Sequence, residues 1–541
     1  MSSSKRQKLE PQLPQFHNKY YPSEITDKQV AQRYLKDENK PINVLNDIRI
    51  HQTKSLEPGK GVVHLFNNDL RVSNNKGFYE AGKLKADFQV PLIGLFVYCL
   101  EELYCHSISN FQLRFKLDTL DVLQKSLGER NIPLVVLKID RKADYTESIS
   151  NFMSSNSFNH LTANISYEVD ELRDFVHLHQ QEKFSFLSFH DTCVVEPGLL
   201  ASGKGTQYSV FTPWSKAWNK YVNSHSIDDF PAPEPNAPSA ANKFDYEAPL
   251  VPKNKELNSV QLKNYENLYE PGELAANIKL SEYLKSEKIM KYEEKRNQLD
   301  EDVGSHISHY IANGSLNCRT IVKEILKTDL LKQVDQGNKS AIQWVRQVSW
   351  RDFYKHVLCN WPHVSMFRPF HLEYSDIKWE YNQDHFDAWC KGQTGYPIID
   401  ASMRELNQTG FMSNRSRMIV ASFISKHLLL DWRYGEQFFS ESLIDCDFAS
   451  NNGGWGFSSS TGVDPQPYFR IFNPYLQSER FDPHGHYIKK WVPELAEVDE
   501  KDIHQPYSKN NYSTINDYPF PIVEHKFGRE RALQRYKEAR Y

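Results

Sequence analysis

Between Asn223 and Glu270 the chain loses every sign of hydrophobic periodicity, because FPAPEPNAPSAANKFDYEAPLVPKNK crowds prolines, alanines and charges into one stretch. Such a segment supports neither a central strand nor a continuous helix. The segments on either side of it must therefore build separate cores, and 541 residues give enough length for both. We read residues 1–58 as a polar, partly disordered leader, 59–222 as a first domain, 223–270 as an interdomain connection and 271–541 as a second domain.

The two domains are patterned differently. GVVHLF (Gly61 to Phe66) and IPLVVLKI (Ile132 to Ile139) are apolar runs of strand length, separated by a helical period from Phe111 to Leu127. This alternation predicts a parallel α/β sheet. Neither G-x-G-x-x-G nor G-x-x-x-x-G-K-[ST] occurs, so the sheet announces no nucleotide by itself. Beyond residue 270 the period is helical almost to the end, as in PIIDASMRELN and NRSRMIVASFISKHLLLDW, where one helix is expected from Asn414 to about Leu430. The expected fold is an α/β N-terminal parallel-sheet domain plus a large all-α domain.

Composition works mainly by exclusion. No run approaches the roughly 18 to 20 apolar residues of a membrane span, and the polar start has no apolar core of a secretory signal. The seven cysteines are dispersed, which predicts reduced thiols with no zinc site or disulfide framework. A net charge of -4 confines any nucleic-acid site to a local patch. Lys5, Arg6 and Lys8 make a short basic cluster, either a nuclear-import signal or a solvated tail. Eight of the ten tryptophans fall between Trp344 and Trp491, and the first 213 residues have none, so the halves are built for different work.

Three constellations in the second half carry chemistry. Asn414-Arg415-Ser416-Arg417-Met418 puts an amide and a soft apolar side chain on one helical face beside arginines, a combination that suits a nucleobase and phosphates or an ordinary helix cap. Trp344, Gln347 and Trp350, with Arg351 and Tyr354 close by, line a face that can stack and read a ring, or else form a buried aromatic stripe. Asp445-Cys446-Asp447, followed by Asn451, Asn452, Gly453, Gly454 and Trp455, describes a tight loop able to wrap a polar heterocycle. A metal is the rival reading of the two carboxylates, but the EF-hand register is missing and no histidine is near in sequence, so no metal is expected.

The series WRDFYKHVL, GQTGYPIIDASMREL, NRSRMIVASF, DWRYGE, LIDCDFASNNGGW and STGVDPQPYFRIFNP, in this order from Trp344 to Arg480, resembles the flavin domain of DNA photolyases. The resemblance continues upstream through Tyr292 to Arg296, Gly304 to Ser308, YSVFTPWSKAW and HDTCVVEPG to the N-terminal sheet, and it omits only the leader and the connection. The chain is most similar in kind to class I cyclobutane-pyrimidine-dimer photolyases of the fungal type.

The resemblance implies that FAD lies U-shaped in the helical domain. Tyr292, Gly304, Ser305, His306, Ile307, Ser308, Arg417, Asp445, Cys446, Asp447 and Asn451 would hold it, with Asn451 facing the flavin N5. Ser305 and Ser308, at a helix start, would offer hydroxyls and N–H groups to the pyrophosphate. Trp455, Trp432 and Trp379 would form an electron relay that reduces oxidised flavin under light. Excited reduced flavin would pass one electron to a flipped-out dimer in DNA and recover it after the ring splits.

Trp344, Gln347, Trp350, Arg351, Tyr354, Asn414 and Met418 are implied at the lesion, and Arg296, Arg415, Arg470 and Gln477 along the DNA strand. Met418 stands where six-four photolyases and animal cryptochromes carry histidine, which favours cyclobutane dimers. His106, Asp170 and Glu171 match the folate antenna region, so 5,10-methenyltetrahydrofolate is the expected second chromophore and a deazaflavin the alternative. A monomer in the nucleus is expected, with the mitochondrion as the other compartment.

The match departs from the family at a few positions. Gln347 replaces the usual glutamate, Gly304 a threonine and His306 an arginine, while Leu65 and Asn67 replace the tryptophan and arginine of the first strand. The competing functions are a blue-light receptor of the cryptochrome type and a DNA-binding module that has lost catalysis.

Overall fold

In a computed structural model of the chain, residues 40–51, 57–238, 244–507, 515 and 517–540 are described. The expected import signal at Lys5 to Lys8 lies outside them. Strands β1 (Val62–Phe66), β2 (Leu92–Cys99), β3 (Leu134–Ile139), β4 (His160–Asn164) and β5 (Ser185–Phe189) form one parallel sheet in the order β3-β2-β1-β4-β5. All five residues of β1 are buried, Leu65 among them, as expected of a strand with both faces covered. The expected period from Phe111 to Leu127 is the helix Asn110–Gly128.

Within the expected leader, residues 40–51 are described. Pro41–His51 is a helix that packs on the Val169–His179 helix and buries Ile42 and Leu45. An eleven-residue helix is marginal in water. Burial of two such side chains, at about 1.5–3 kcal/mol each, is what holds it. Its polar surroundings in sequence hid those two anchors.

The described part of the connection includes a helix, Ser259–Leu268, capped by Asn258, which the run of prolines and charges in sequence did not announce. Asn236 is buried, accepts from the Leu92 amide at 3.0 Å and donates to the Leu92 and Asn131 carbonyls at 2.8 and 3.0 Å. One asparagine thus pairs the backbone of a segment that has no ladder of its own. Two further ties join the halves: Asp191 pairs with Arg71 and Arg319, and Asp352 Oδ2 accepts from the Val194 and Val195 amides and from Trp218 Nε1.

The second domain is helical, with a small ribbon of Leu331–Gln333 and Gln336–Gly337. Its longest described helix, Lys339–Asn360, starts at an Asn338 side chain that accepts from the Ala341 amide. The helix expected from Asn414 to Leu430 is α-helical only over Asn414–Ser422 and passes into a π turn at Phe423–His427. There the Leu428 amide reaches back five residues to Phe423 O, and Leu429 then turns left-handed at φ 52°. Apolar spacing does not reveal such a one-residue expansion. Among the described residues no helix is long and apolar enough to cross a membrane.

Candidate functional site

Two capped helices and the loop between them build the centre of the site. Asp431 caps Trp432–Ser442 and Asp447 caps Phe448–Ser459, each carboxylate accepting a backbone N–H of the first turn. The Leu443 to Asp447 loop therefore enters and leaves at defined angles. Arg417 Nη2 donates to both oxygens of Asp445 at 2.9 Å, while Arg417 Nε is spent on Met412 O. Asp447 takes Lys355 at 2.8 Å and Arg351 at 3.4 Å. Burial alone would favour the neutral acid, but these two cations hold the Asp447 carboxyl well below the usual range. Burial pushes the Cys446 thiol up to about 12, so it is no nucleophile.

The Asn451 amide is turned by its neighbours. Its Nδ2 donates to Glu436 O at 2.9 Å and Ser440 Oγ at 3.2 Å. With both N–H groups used, the amide oxygen is the atom left to meet a ring N–H. Gly453 permits close approach on the same turn, since a Cβ there would stand 2.2 Å from the Tyr354 ring. Paired carboxylates, an oriented amide oxygen and a helical turn closed against Tyr354 at Gly453 fit a polar ring with N–H and C=O groups on its edge.

Ser305 Oγ accepts from Trp344 Nε1 at 3.3 Å, which brings the Gly304–Ser308 segment against the Lys339–Asn360 helix. His306 adopts φ 50° and contacts Asp302 at 2.5 Å, whereas Ser308 opens the short helix Ser308–Asn313. Ile307 is buried in the same core as Trp344, with Tyr292 packed against it.

Trp455, Trp432 and Trp379 are all buried, at 2%, 3% and 9% exposure. Trp455 meets Phe439 at 5.0 Å and Trp389 at 6.2 Å, both edge to face. Trp379 meets Tyr536 at 5.9 Å. Trp389 was not singled out from the sequence, where nothing separates it from any other core tryptophan.

Of the residues expected at a lesion, Trp350 stacks on Phe211 at 3.4 Å and Gln347 Nε2 donates to Gln343 O at 3.0 Å. Asn414 is exposed beside Met418, with Nδ2 at 3.8 Å from Sδ. Arg351 is turned inward to Asp447 and Thr192 O, and Tyr354 packs under Gly453. The local spacing that grouped these two with Trp350 could not register the partners that draw them inward.

The strand-binding candidates show a basic cluster. Arg296 and Arg480 act on Arg415, whose guanidinium is lowered to about 10 by burial and by these like charges. Arg415 and Arg480 lie over the same Phe481 ring at 4.4 and 5.3 Å. None of the three has a carboxylate ion-pair partner among the described residues. Arg480 was missed in sequence, although it follows Gln477 by one helical turn in Pro474–Phe481. Arg470 is exposed on the preceding loop.

His106 is bracketed by Glu168 on Nδ1 at 3.0 Å and Asp170 on Nε2 at 2.8 Å. Burial opposes the charge, but the two carboxylates raise the imidazole well above its ordinary value. Of the metal-ligand types brought together here, the histidine has a carboxylate on each ring nitrogen, the arrangement of an imidazolium. Glu171 is pushed up by burial and by Glu168 and Asp170. A cavity of about 140 Å³ lies between the domains, with His106 and Glu171 on one wall and Lys355, Glu436 and Asp447 on another.

Comparison with known proteins agrees with this geometry. Residues 62–236 match the family described as DNA photolyase, and residues 344–538 match the FAD binding domain of DNA photolyase. The chain is 42% identical to the deoxyribodipyrimidine photo-lyase of Neurospora crassa over 96% of its own length and 89% of that protein. It is 37% identical to the mitochondrial deoxyribodipyrimidine photo-lyase of Saccharomyces cerevisiae over 99% and 98%. A bacterial class III photolyase from Agrobacterium tumefaciens superposes with a TM-score of 0.78 at 29% identity, covering 91% of this chain and 99% of that one. With a parallel sheet joined to a helical domain, both family matches and these relatives over nearly the whole length, the chain belongs to the DNA photolyase family.

Proposed function

We propose that this chain is a deoxyribodipyrimidine photo-lyase, which uses light and FAD to split cyclobutane pyrimidine dimers in DNA back into pyrimidines. The observation that carries the reading is the oriented Asn451 amide, within one loop and one helical turn of the Arg417–Asp445 pair and Trp455. Arg417, Asp445 and Asn451 would hold FAD, which when bound would supply light-driven one-electron chemistry to the dimer.

The chain's own residues do the rest. Arg417 and Asp445 neutralise one another, so the loop presents fixed hydrogen-bonding groups without net charge. We read Trp455 as the first electron donor to a flavin, with Trp432 and Trp379 as the second and third, and the burial of all three and the backing of Trp455 by Phe439 and Trp389 support this reading. Trp350 offers a stacking face and Gln347 an amide to the flipped bases. Arg296, Arg415 and Arg480 take phosphates, which sets affinity and its salt dependence without reading sequence.

His106, Asp170 and Glu171 support a folate antenna, since a buried protonated carboxyl can pair with the donor and acceptor edge of a pterin. We also infer a monomer directed to the nucleus through Lys5, Arg6 and Lys8.

The test is repair of a thymine-dimer oligonucleotide by purified, chemically reduced protein under blue light, with a dark control. Light-dependent restoration of thymines is expected. Tight binding of flavin and DNA without repair would overturn the enzymatic reading and favour a receptor.

A further inference from the structure

Glu436 follows Trp432 by one helical turn and Gly435 by one residue, and it is only 1% exposed. Its main-chain oxygen holds the Asn451 amide and its Oε1 accepts from Asn452 Nδ2 at 2.8 Å. Oε2 is buried and has no hydrogen-bond partner among the described residues, and the carboxyl lines the cavity shared with Asp447, Ser440 and Lys355.

The charges that face it do not compensate a carboxylate. On its own helix Arg433 lies against Asp431, with Nη2 at 2.5 Å from Oδ2. From the loop before Val169–His179 comes Glu168, itself on His106. Across the cavity Lys355 and Arg351 are committed to Asp447. A buried carboxylate whose surrounding cations are already matched by other acids costs so much that the group takes up a proton instead. Burial, with Asp431 and Glu168 adding to it, pushes the Glu436 carboxyl up to about 8.

We propose that Glu436 is a proton-carrying positioning residue of the flavin site, orienting the Asn451 and Asn452 amides while keeping a negative charge away from the ring. The proposal rests on the flavin reading given above. A protonated Oε2 is a donor buried at the cavity wall, and Oε1 remains the acceptor that Asn452 requires. Ionisation would place a charge next to a ring that gains negative charge on reduction, and the two would repel in a low-dielectric site. When an external electron donor reduces the flavin at alkaline pH, one proton passes from a water O–H to the Glu436 carboxylate, forming its O–H bond and leaving hydroxide in the solvent.

The experiment is the midpoint potential of FAD-loaded protein followed from slightly acidic to alkaline pH, for the native chain and for Glu436→Gln. Glutamine keeps the acceptor for Asn452 and cannot ionise. The native potential is expected to fall more steeply than that of the variant as pH rises through about 8, with the two agreeing below it. Parallel curves would overturn the proposal. Light-induced infrared difference spectra of the native protein give a second reading that needs no stable variant. A shifted carbonyl stretch of a protonated carboxyl at neutral pH is expected, and only carboxylate bands would refute it. If the native protein fails to retain FAD, the flavin reading itself falls, and this proposal with it.

Discussion

Gly435 lies beneath the Trp455 indole so closely that a Cβ on it would stand 2.1 Å from the six-membered ring. The Trp432–Ser442 helix can therefore meet Phe448–Ser459 at this point only through glycine. Gly435→Ala should displace Trp455 and lower stability by about 1–3 kcal/mol, the usual cost of overpacking. Thermal unfolding and the rate of light-driven flavin reduction should both drop; an unchanged rate would mean that the position of Trp455 is not critical.

Trp455→Phe should block light-driven reduction of oxidised flavin and leave repair by chemically reduced enzyme intact. The ring remains apolar and fills most of the site between Phe439 and Trp389, so folding should survive with a loss of about 1–2 kcal/mol. Flavin absorbance under blue light with an external reductant checks the first half, and dimer repair in pre-reduced samples the second. Survival of both activities would remove Trp455 from the relay.

Gln347→Glu should raise repair yield, because a carboxylate accepts a hydrogen bond roughly twice as strong as a neutral amide does. The structure adds a cost: glutamate cannot donate to Gln343 O as Gln347 does, a loss of about 0.5–1.5 kcal/mol. Quantum yield per absorbed photon is the readout, with unfolding as the control. A yield equal to or below the native value would show that the amide reads the lesion in its own way.

Arg480→Ala should weaken binding to dimer-containing and undamaged DNA alike, and reduce the slope of log affinity against log salt by about 1. Titrations at several salt concentrations test this. A loss confined to damaged DNA would place Arg480 at the lesion and not on the backbone.

The His106 charge should persist through neutral pH. Its folded value is raised, so the stability from the Glu168–His106–Asp170 bracket is fully present below the ordinary histidine value and is lost as pH rises through the folded one. Ring carbon and nitrogen shifts of labelled protein should report an imidazolium at pH values where free histidine is neutral. A neutral ring there would disprove the bracket.

Much of the fold was legible because it is local. Periodicity found β1, β3 and the Asn110–Gly128 helix. The order of the motifs from Trp344 to Arg480 carried the family resemblance, since each motif is a short run whose residues act together, and the match to the FAD binding domain spans residues 344–538.

Tertiary structure alone decided which neighbours those residues would have. Arg351 meets Asp447, ninety-six positions away, a partner that helical spacing could not show. Arg480 joins Arg296 and Arg415 only when three separate segments converge on Phe481. Glu436 reads in sequence as one more acid in DWRYGE, and its meaning comes from burial among charges already paired with one another. Hydrogen-bond geometry within a turn is set by residues three or four apart, whereas burial, pairing and protonation depend on segments that meet only after the chain has folded.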